Sequence, residues 1–353
     1  MEQELDIKRR SQSAETVDFD YAFAGHQPAA SNQNKLNRIE YTRILLKLSD
    51  TRMSEFWTAA HPHSNEVLAR IGADVKDSQG SIGFLEANPT KPGRYAASVL
   101  INAALDWLKS KGVATVYGPM DFNSWFNYRF KVQSDSTEAT ANHPWEPASS
   151  NFCESLFRSN GFSDAILYSS HFFELSDASH WQQHINHLEA DYDRVLDAGF
   201  KIRKIANNNR SEQDIRAIFD ISNVAFANHP MFESVPFSLF SAITLPALTH
   251  FDSTPSRICF DKNNNPVGFM FAFLIDDLIV FKSIAILPEF QAMGIGNAMT
   301  LELCQFGFEN RVTRCVGALI RRGNKSEMFG KSFNNVANFS GRNDYVLLSR
   351  SFK

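Results

Sequence analysis

The stretch Ser283-Ile284-Ala285-Ile286-Leu287-Pro288-Glu289-Phe290-Gln291-Ala292-Met293-Gly294-Ile295-Gly296-Asn297 decides how this chain is read. Its first residues are apolar and β-branched, as suits a buried strand, and from Asn297 to about Glu309 the spacing predicts a helix. A turn with two glycines joins them. The first N–H groups of a helix have no partner inside it, and the macrodipole adds partial positive charge there. Such an end receives phosphate oxygens. Gly294 and Gly296 let the backbone approach a pyrophosphate with no Cβ in the way. A strand-to-helix turn without a ligand can use the same two glycines, so the surroundings decide.

Working outward, the spacing predicts a strand at Lys201 to Ile205, helices at Glu212 to Ala227 and Phe237 to Leu248, and a strand at Arg257 to Asp261. The turn Lys262-Asn263-Asn264-Asn265-Pro266 leads into a strand from Val267 to Leu274, and Asp276-Asp277 turns the chain into Leu278 to Ile286. A last strand runs from Thr313 to Ile320. This order describes a mixed sheet in which one strand feeds a helix through a glycine-bearing turn. Further upstream, strands at Leu68 to Val75 and Ser81 to Ala87 precede a helix from about Tyr95 to Lys111 and a strand at Ala114 to Tyr117, a βαβ-like unit.

A chain of 353 residues suits two domains. The expected boundaries are a polar tail over 1–35, with Lys8-Arg9-Arg10 as solvated charge; a first unit over 36–176; an amphipathic connector helix over 177–198; and a second unit over 199–353. A net charge of −4 over mixed signs gives no general attraction to nucleic acid or an anionic membrane. The acidic, polar start is unlike a signal peptide, and the apolar run Val267 to Ile275 is far short of the ~20 residues needed to span a bilayer. Cys153, Cys259, Cys304 and Cys315 show no CxxC spacing, so a zinc ribbon or redox motif is not expected and a cytoplasmic setting is. Phenylalanine numbers 31, which an aromatic core explains, with a slot for an acyl chain or apolar acceptor as the alternative.

Gln291-Ala292-Met293-Gly294-Ile295-Gly296 between strand and helix resembles motif A of the GNAT acyltransferase superfamily. The resemblance implies that Gln291 to Gly296, with Asn297, hold the pyrophosphate of acyl-CoA, and that backbone groups of Ile284, Ala285 and Ile286 bind the pantetheine arm and thioester oxygen. Gly323-Asn324-Lys325-Ser326 follows the next strand, where the family often places a cofactor-contacting Asn, so Asn324 and Ser326 join the candidate set. Val267-Gly268-Phe269, Ala318 to Ser326, Asp344 to Leu348, Ser81 to Glu86, Gly118 to Asn123 and Leu156 to Phe162 are similar to a set of bacterial two-unit GNAT proteins. The fold this implies is α/β (α+β): tandem GNAT-like units, each a mixed, mostly antiparallel sheet flanked by helices.

Two departures from the family pattern stand out. Phe329-Gly330-Lys331 has no Tyr to protonate the leaving thiolate, and Val280 stands where some members carry a Glu base. The first unit lacks the Gln-x-x-Gly-x-Gly pattern, with Asn88-Pro89-Thr90-Lys91-Pro92-Gly93 in the corresponding turn. It reads as a degenerate copy that has lost the cofactor and shapes the acceptor side.

Candidate catalytic groups are His229, in Asn228-His229-Pro230-Met231-Phe232 between two helices; Asp276, otherwise a hairpin-turn residue; and Lys282, otherwise a snorkelling side chain. Phe232, Asn123, Trp125, Tyr128 and Arg129 are candidate substrate contacts, Arg129 through a bidentate grip on a carboxylate. His180, His184 and His187 share a helix face, yet apolar Trp181, Ile185 and Leu188 lie alongside and no metal is expected. His61-Pro62-His63 reads as a loop. The resulting expectation is transfer of an acyl group, acetyl by default, from acyl-CoA to an amine of a small molecule or peptide by direct attack in a ternary complex. An acyl carrier protein as donor is a variant, and no nucleic-acid or membrane partner is expected. The alternative is a non-catalytic acyl-CoA-binding or partner-binding protein.

Overall fold

The computed structural model describes residues 4–10, 42, 44–45, 52–64, 66–132, 143–147, 151–175, 178–205, 211–324, 326–327 and 338–352. The chain forms two compact units: Met1–Gln133 with Glu146–Leu167 and Tyr345–Lys353, and Ser134–Trp145 with Tyr168–Asp344. No described helix is long and apolar enough to cross a membrane.

In the first unit, β1 (Asp6–Arg10), β2 (Met53–Ala60), β3 (Val67–Lys76) and β4 (Gln79–Ala87) pair antiparallel in that order. Helix α1 (Lys91–Ser110) then crosses over to β5 (Thr115–Gly118), which lies parallel to β4. Leu100, Ile101, Leu105 and Leu108 of α1 recur at helical spacing and bury against Trp57, Ile71 and Ile82 of the strands. Each such side chain is worth about 2 kcal/mol of transfer free energy. The helix starts before the expected Tyr95 because Thr90 caps it, accepting from the Gly93 N–H, and Pro92 fits the first turn. The unit continues through β6 (Phe130–Val132), α2 (Asn151–Ser159) and the first residues of β7 (Ser163–Glu174).

Both ends of this unit differ from the expected boundaries. Residues 6–10 are a strand on β2, and Arg9 pairs with the buried Glu55 at 2.6 Å, so the basic run is only partly solvated charge. The rest of the expected tail lies outside the described residues. At the other end, β13 (Asn338–Ser351) delivers its last residues to β5 in antiparallel register, Leu348 opposite Gly118. Tyr345, Val346, Leu347 and Leu348 are fully buried, and that run needs a strand partner which no near neighbour in sequence supplies.

The second unit holds the sheet β7-β12-β11-β10-β9-β8, whose members beyond residues 168–174 of β7 are β8 (Lys201–Lys204), β9 (Arg257–Phe260), β10 (Pro266–Ile275), β11 (Leu278–Ile286) and β12 (Arg314–Arg321). All neighbours are antiparallel except β11 and β12, which α6 (Ile295–Glu309) connects in parallel. Helix α3 (Ala178–Asp197) packs with α6 on one face, over Met270, Ala272, Ile279 and Cys315. On the other, α4 (Ser211–Ala225) packs over β10 and β11, and α5 (Phe237–His250) packs on α4. The expected connector helix is therefore a core element of this unit. Trp181 of α3 is almost fully buried, donates its indole N–H to the Val312 carbonyl at 2.9 Å, and lies so close to Gly307 that a Cβ there would meet the ring at 2.6 Å.

Candidate functional site

In the second unit β11 and β12 begin as a parallel ladder and then part. Their pairing runs from Leu278 opposite Arg314 to Phe281 opposite Gly317 and ends there. On its other edge β11 stays paired with β10 to Ile286, but Lys282 has no opposite number between Phe281 and Ser283. That extra residue is a β-bulge, which bends and twists the strand at the point where its neighbour leaves. On β12 the register with β7 slips between Gly317 and Ile320, and Leu319, with φ of 56°, turns its N–H to the Ser170 hydroxyl at 2.9 Å. The open edge of β11 thus carries Lys282 to Ile286, including all three strand residues expected to meet the pantetheine.

The loop that follows has left-handed backbone at Ala292, φ 64°, and at Gly294, φ 92°. Gly294 is the N-cap of α6 and makes no side-chain cap; the first helical bond is from the Ala298 N–H to the Gly294 carbonyl. Among the described residues the N–H groups of Ile295, Gly296 and Asn297 make no backbone hydrogen bond. They form the positive end of a 15-residue helix, where Ile295 is buried and Gly296 and Asn297 are half-buried. The Gln291 side chain donates to the Ile286 carbonyl at 3.2 Å, tying the loop to the strand end. The Asn297 side chain donates to Asp191 of α3, so its backbone N–H is what it offers an anion. Arg194, paired with Asp191, stands over Gly294, where an added Cβ would lie 3.0 Å from the guanidinium. Asn324 donates its N–H to the Arg321 carbonyl at 3.3 Å in the turn after β12, and its carbonyl accepts from Glu327 at 2.9 Å. Ser326 lies in the same turn, and Phe329-Gly330-Lys331 lies outside the described residues.

The first unit repeats this architecture with the opening filled. The ladder of β4 and β5 ends at Ser81 opposite Tyr117, and β4 is bulged near Phe84, φ 54°. Beyond that point the Met120 N–H donates to the Ile82 carbonyl at 2.8 Å, and the Asp121 carboxylate accepts from the Phe84 N–H at 2.6 Å. The N-terminus of α1 is also satisfied, with Thr90 as its cap and the Asn88 carbonyl 2.1 Å from where a Gly93 Cβ would sit. These contacts occupy the strand edge at Ile82 and Phe84 and cap the helix end at Gly93.

The candidate catalytic and substrate residues distribute unevenly. His229 lies in the second unit between α4 and α5; its Nδ1 faces the Pro230 carbonyl at 2.9 Å and its Nε2 the Tyr168 hydroxyl at 2.7 Å. Lys282 places its ammonium 5.6 Å from the centroid of the Trp145 ring, a cation–π contact. Asp276 sits in the β10–β11 turn, φ 54°, six residues from Lys282 and so about 20 Å from the opening at ~3.3 Å per residue. Its neighbour Asp277 is held below the usual carboxylate range by hydrogen bonds from Arg314. Phe232 donates its N–H to the His229 carbonyl. Asn123, Trp125, Tyr128 and Arg129 belong to the first unit. There Asn123 is buried and shapes a turn, accepting from the Trp125 N–H at 3.0 Å, while the Arg129 guanidinium stacks 4.0 Å from the Tyr128 ring centroid. Of the helix histidines, His184 is fully buried and His187 exposed. Many of the phenylalanines pack as core, Phe251, Phe271 and Phe273 forming a cluster with Trp145, while Phe308 and Phe339 are exposed.

Residues 216–327, from α4 to the turn after β12, match the acetyltransferase (GNAT) family. This segment is a GNAT domain. Among solved structures, a conserved protein of unknown function from Enterococcus faecalis V583, described as a probable N-acyltransferase, superposes with a TM-score of 0.56 at 12% identity over 99% of this chain and 73% of that one. A GCN5-related N-acetyltransferase from Kribbella flavida gives 0.55 at 10% identity, over 98% and 71%. The GCN5-related glucosamine N-acetyltransferase region of a fungal multi-domain GH3 β-N-acetylglucosaminidase gives 0.52 at 11% identity over 99% of this chain, which spans 38% of that protein's length. At such identities the likeness is one of fold. No curated protein matches. Sequence reasoning missed Tyr168, Asp191 and Arg194, because each reaches the GNAT domain from a segment upstream of it.

Proposed function

We propose that the protein is an N-acyltransferase that moves an acyl group, acetyl by default, from acyl-CoA to an amine of a small molecule or peptide. The observation that carries this reading is the uncapped end of α6, with Gly294 left-handed, at the foot of a strand edge that β12 has vacated. Helix N–H groups at Ile295, Gly296 and Asn297 suit the pyrophosphate, and the edge from Ile284 to Ile286 suits the amides of pantetheine. A thioester lying along that edge would meet backbone N–H donors where its oxygen gains charge during attack. The amine attacks within the ternary complex, and the thiolate leaves. Asn324 and Ser326 complete the proposed donor side. Four buried free cysteines support a reducing, cytoplasmic setting.

The second reading, acyl-CoA binding without catalysis, is favoured by Val280, which is fully buried against Phe172 and Val316 where some family members carry a base. Titration calorimetry with CoA and acetyl-CoA, followed by thiol release over a panel of primary amines, separates the two. The expected result is binding with release. Binding without release supports the second reading, and no binding overturns both.

A further inference from the structure

The acyltransferase reading leaves the proton unplaced: one must leave the attacking nitrogen and one must reach the departing sulfur. Val280 cannot take part, and Asp276 is at the wrong end of its strand. At the open end of the sheet the described residues of the second unit include a directly joined tyrosine–histidine pair. Tyr168 stands opposite Arg321, on the part of β12 that has left β11. Its hydroxyl meets His229 Nε2 at 2.7 Å.

The contacts on the two ring nitrogens favour one tautomer. A carbonyl only accepts, so the 2.9 Å contact to the Pro230 oxygen puts the imidazole proton on Nδ1. Nε2 then carries a lone pair and accepts from the Tyr168 O–H. Tyr168 is buried, and a phenol oxygen that donates its own proton can accept another through a lone pair.

The pair also lies on the appropriate face. Tyr168, Ser170 and Phe172 alternate along β7 with Ser169, His171 and Phe173. Phe172 packs with Val280 and Val316 on the face that α4 covers, whereas Phe173 packs with α6 on the other. A donor anchored at the α6 terminus and threaded through the opening would present its thioester toward Tyr168.

We propose that Tyr168 is a catalytic residue of the acyl transfer and that His229 is its positioning residue and proton acceptor. The amine nitrogen bonds to the thioester carbon, and a proton passes from that nitrogen to the Tyr168 oxygen as the phenolic proton moves to His229 Nε2. On collapse the C–S bond breaks and sulfur keeps the electron pair. The sulfur takes a proton from Tyr168, which recovers one from His229. Amine and thioester become amide and thiol, and the pair ends as it began. This rests on the acyltransferase reading.

The test uses the full chain, acetyl-CoA and a panel of an amino sugar, a polyamine and a lysyl peptide. Tyr168→Phe keeps the ring and removes the proton; His229→Gln keeps an amide near Tyr168 and removes the base. Each should lower kcat by about 100-fold, the low end for loss of acid–base catalysis, with the acetyl-CoA Kd within twofold of wild type. A wild-type kcat in either variant overturns the proposal, as does a fall in kcat matched by lost acetyl-CoA affinity, which marks a structural tether. Wild-type protein that fails to bind acetyl-CoA, or binds it without thiol release, overturns the acyltransferase reading and the pair with it.

Discussion

The carboxylate of Asp121 accepts a hydrogen bond from the backbone N–H of Phe84 at 2.6 Å, on the strand edge that β5 has left. With the Met120 N–H on the Ile82 carbonyl, the first unit completes its own opened strand. A Cβ on Gly83 would lie 2.2 Å from the Met120 carbonyl oxygen, so that chain lies directly on the strand. Calorimetry is expected to give one CoA per chain. Asp121→Ala strips a part-buried N–H of its acceptor and should cost about 1–3 kcal/mol in urea unfolding, with the stoichiometry still one. A second CoA site in that variant would show that the Asp121 contact alone had excluded the ligand.

Gly294 is required twice over. Its φ of 92° lies where an L side chain is strained, and a Cβ would crowd the Arg194 guanidinium at 3.0 Å. Gly294→Ala should therefore cost about 1–2 kcal/mol or displace the loop. A displaced loop no longer aims the N–H groups of Ile295 to Asn297 at one point. CoA affinity is expected to fall at least tenfold, measured by calorimetry. Unchanged affinity in the folded variant would place the diphosphate elsewhere.

Much of the GNAT domain was legible because its signals are local. The glycine turn, the two Asp residues of the hairpin and the apolar run of Leu278 to Ile286 each fix one element within a short window. What was hidden depends on partners distant in sequence. Tyr345 to Leu348 reads as a strand anywhere, and only the β5 edge assigns it to the first unit. The polar Asp6–Arg10 segment has no apolar alternation to mark it, and its register comes from β2. The filling of the first opening by Met120 and Asp121 depends on two hydrogen bonds, which no periodicity encodes. Tyr168 looks like any aromatic strand residue until His229 is placed 2.7 Å from it.

Helix α3 read as a connector because its charged face is long, yet its apolar stripe is buried in the second unit. Trp181 fills space between α3 and α6 and holds the Val312 carbonyl. Trp181→Ala should cost about 3–5 kcal/mol, by the cavity it opens and the acceptor it orphans. The urea midpoint of the second unit should drop accordingly. A change under 1 kcal/mol would return α3 to the role of a peripheral linker.

His184, one helical turn from Trp181, gives the fold a pH dependence of definite sign. Burial, with a smaller contribution from the His187 charge, pushes its pKa down from 6.5 to about 4. The folded form therefore keeps the imidazole neutral at pH values where the unfolded chain protonates it. Between about 6.5 and 4 the unfolded state binds the extra proton, so stability rises with pH across that window and is progressively lost on acidification. His184→Leu removes the titration. Urea unfolding at pH 4.5 and 7 should show a smaller drop for the variant than for wild type. Equal drops would mean that His184 is hydrated or protonated within the fold, and that another group sets the acid limit.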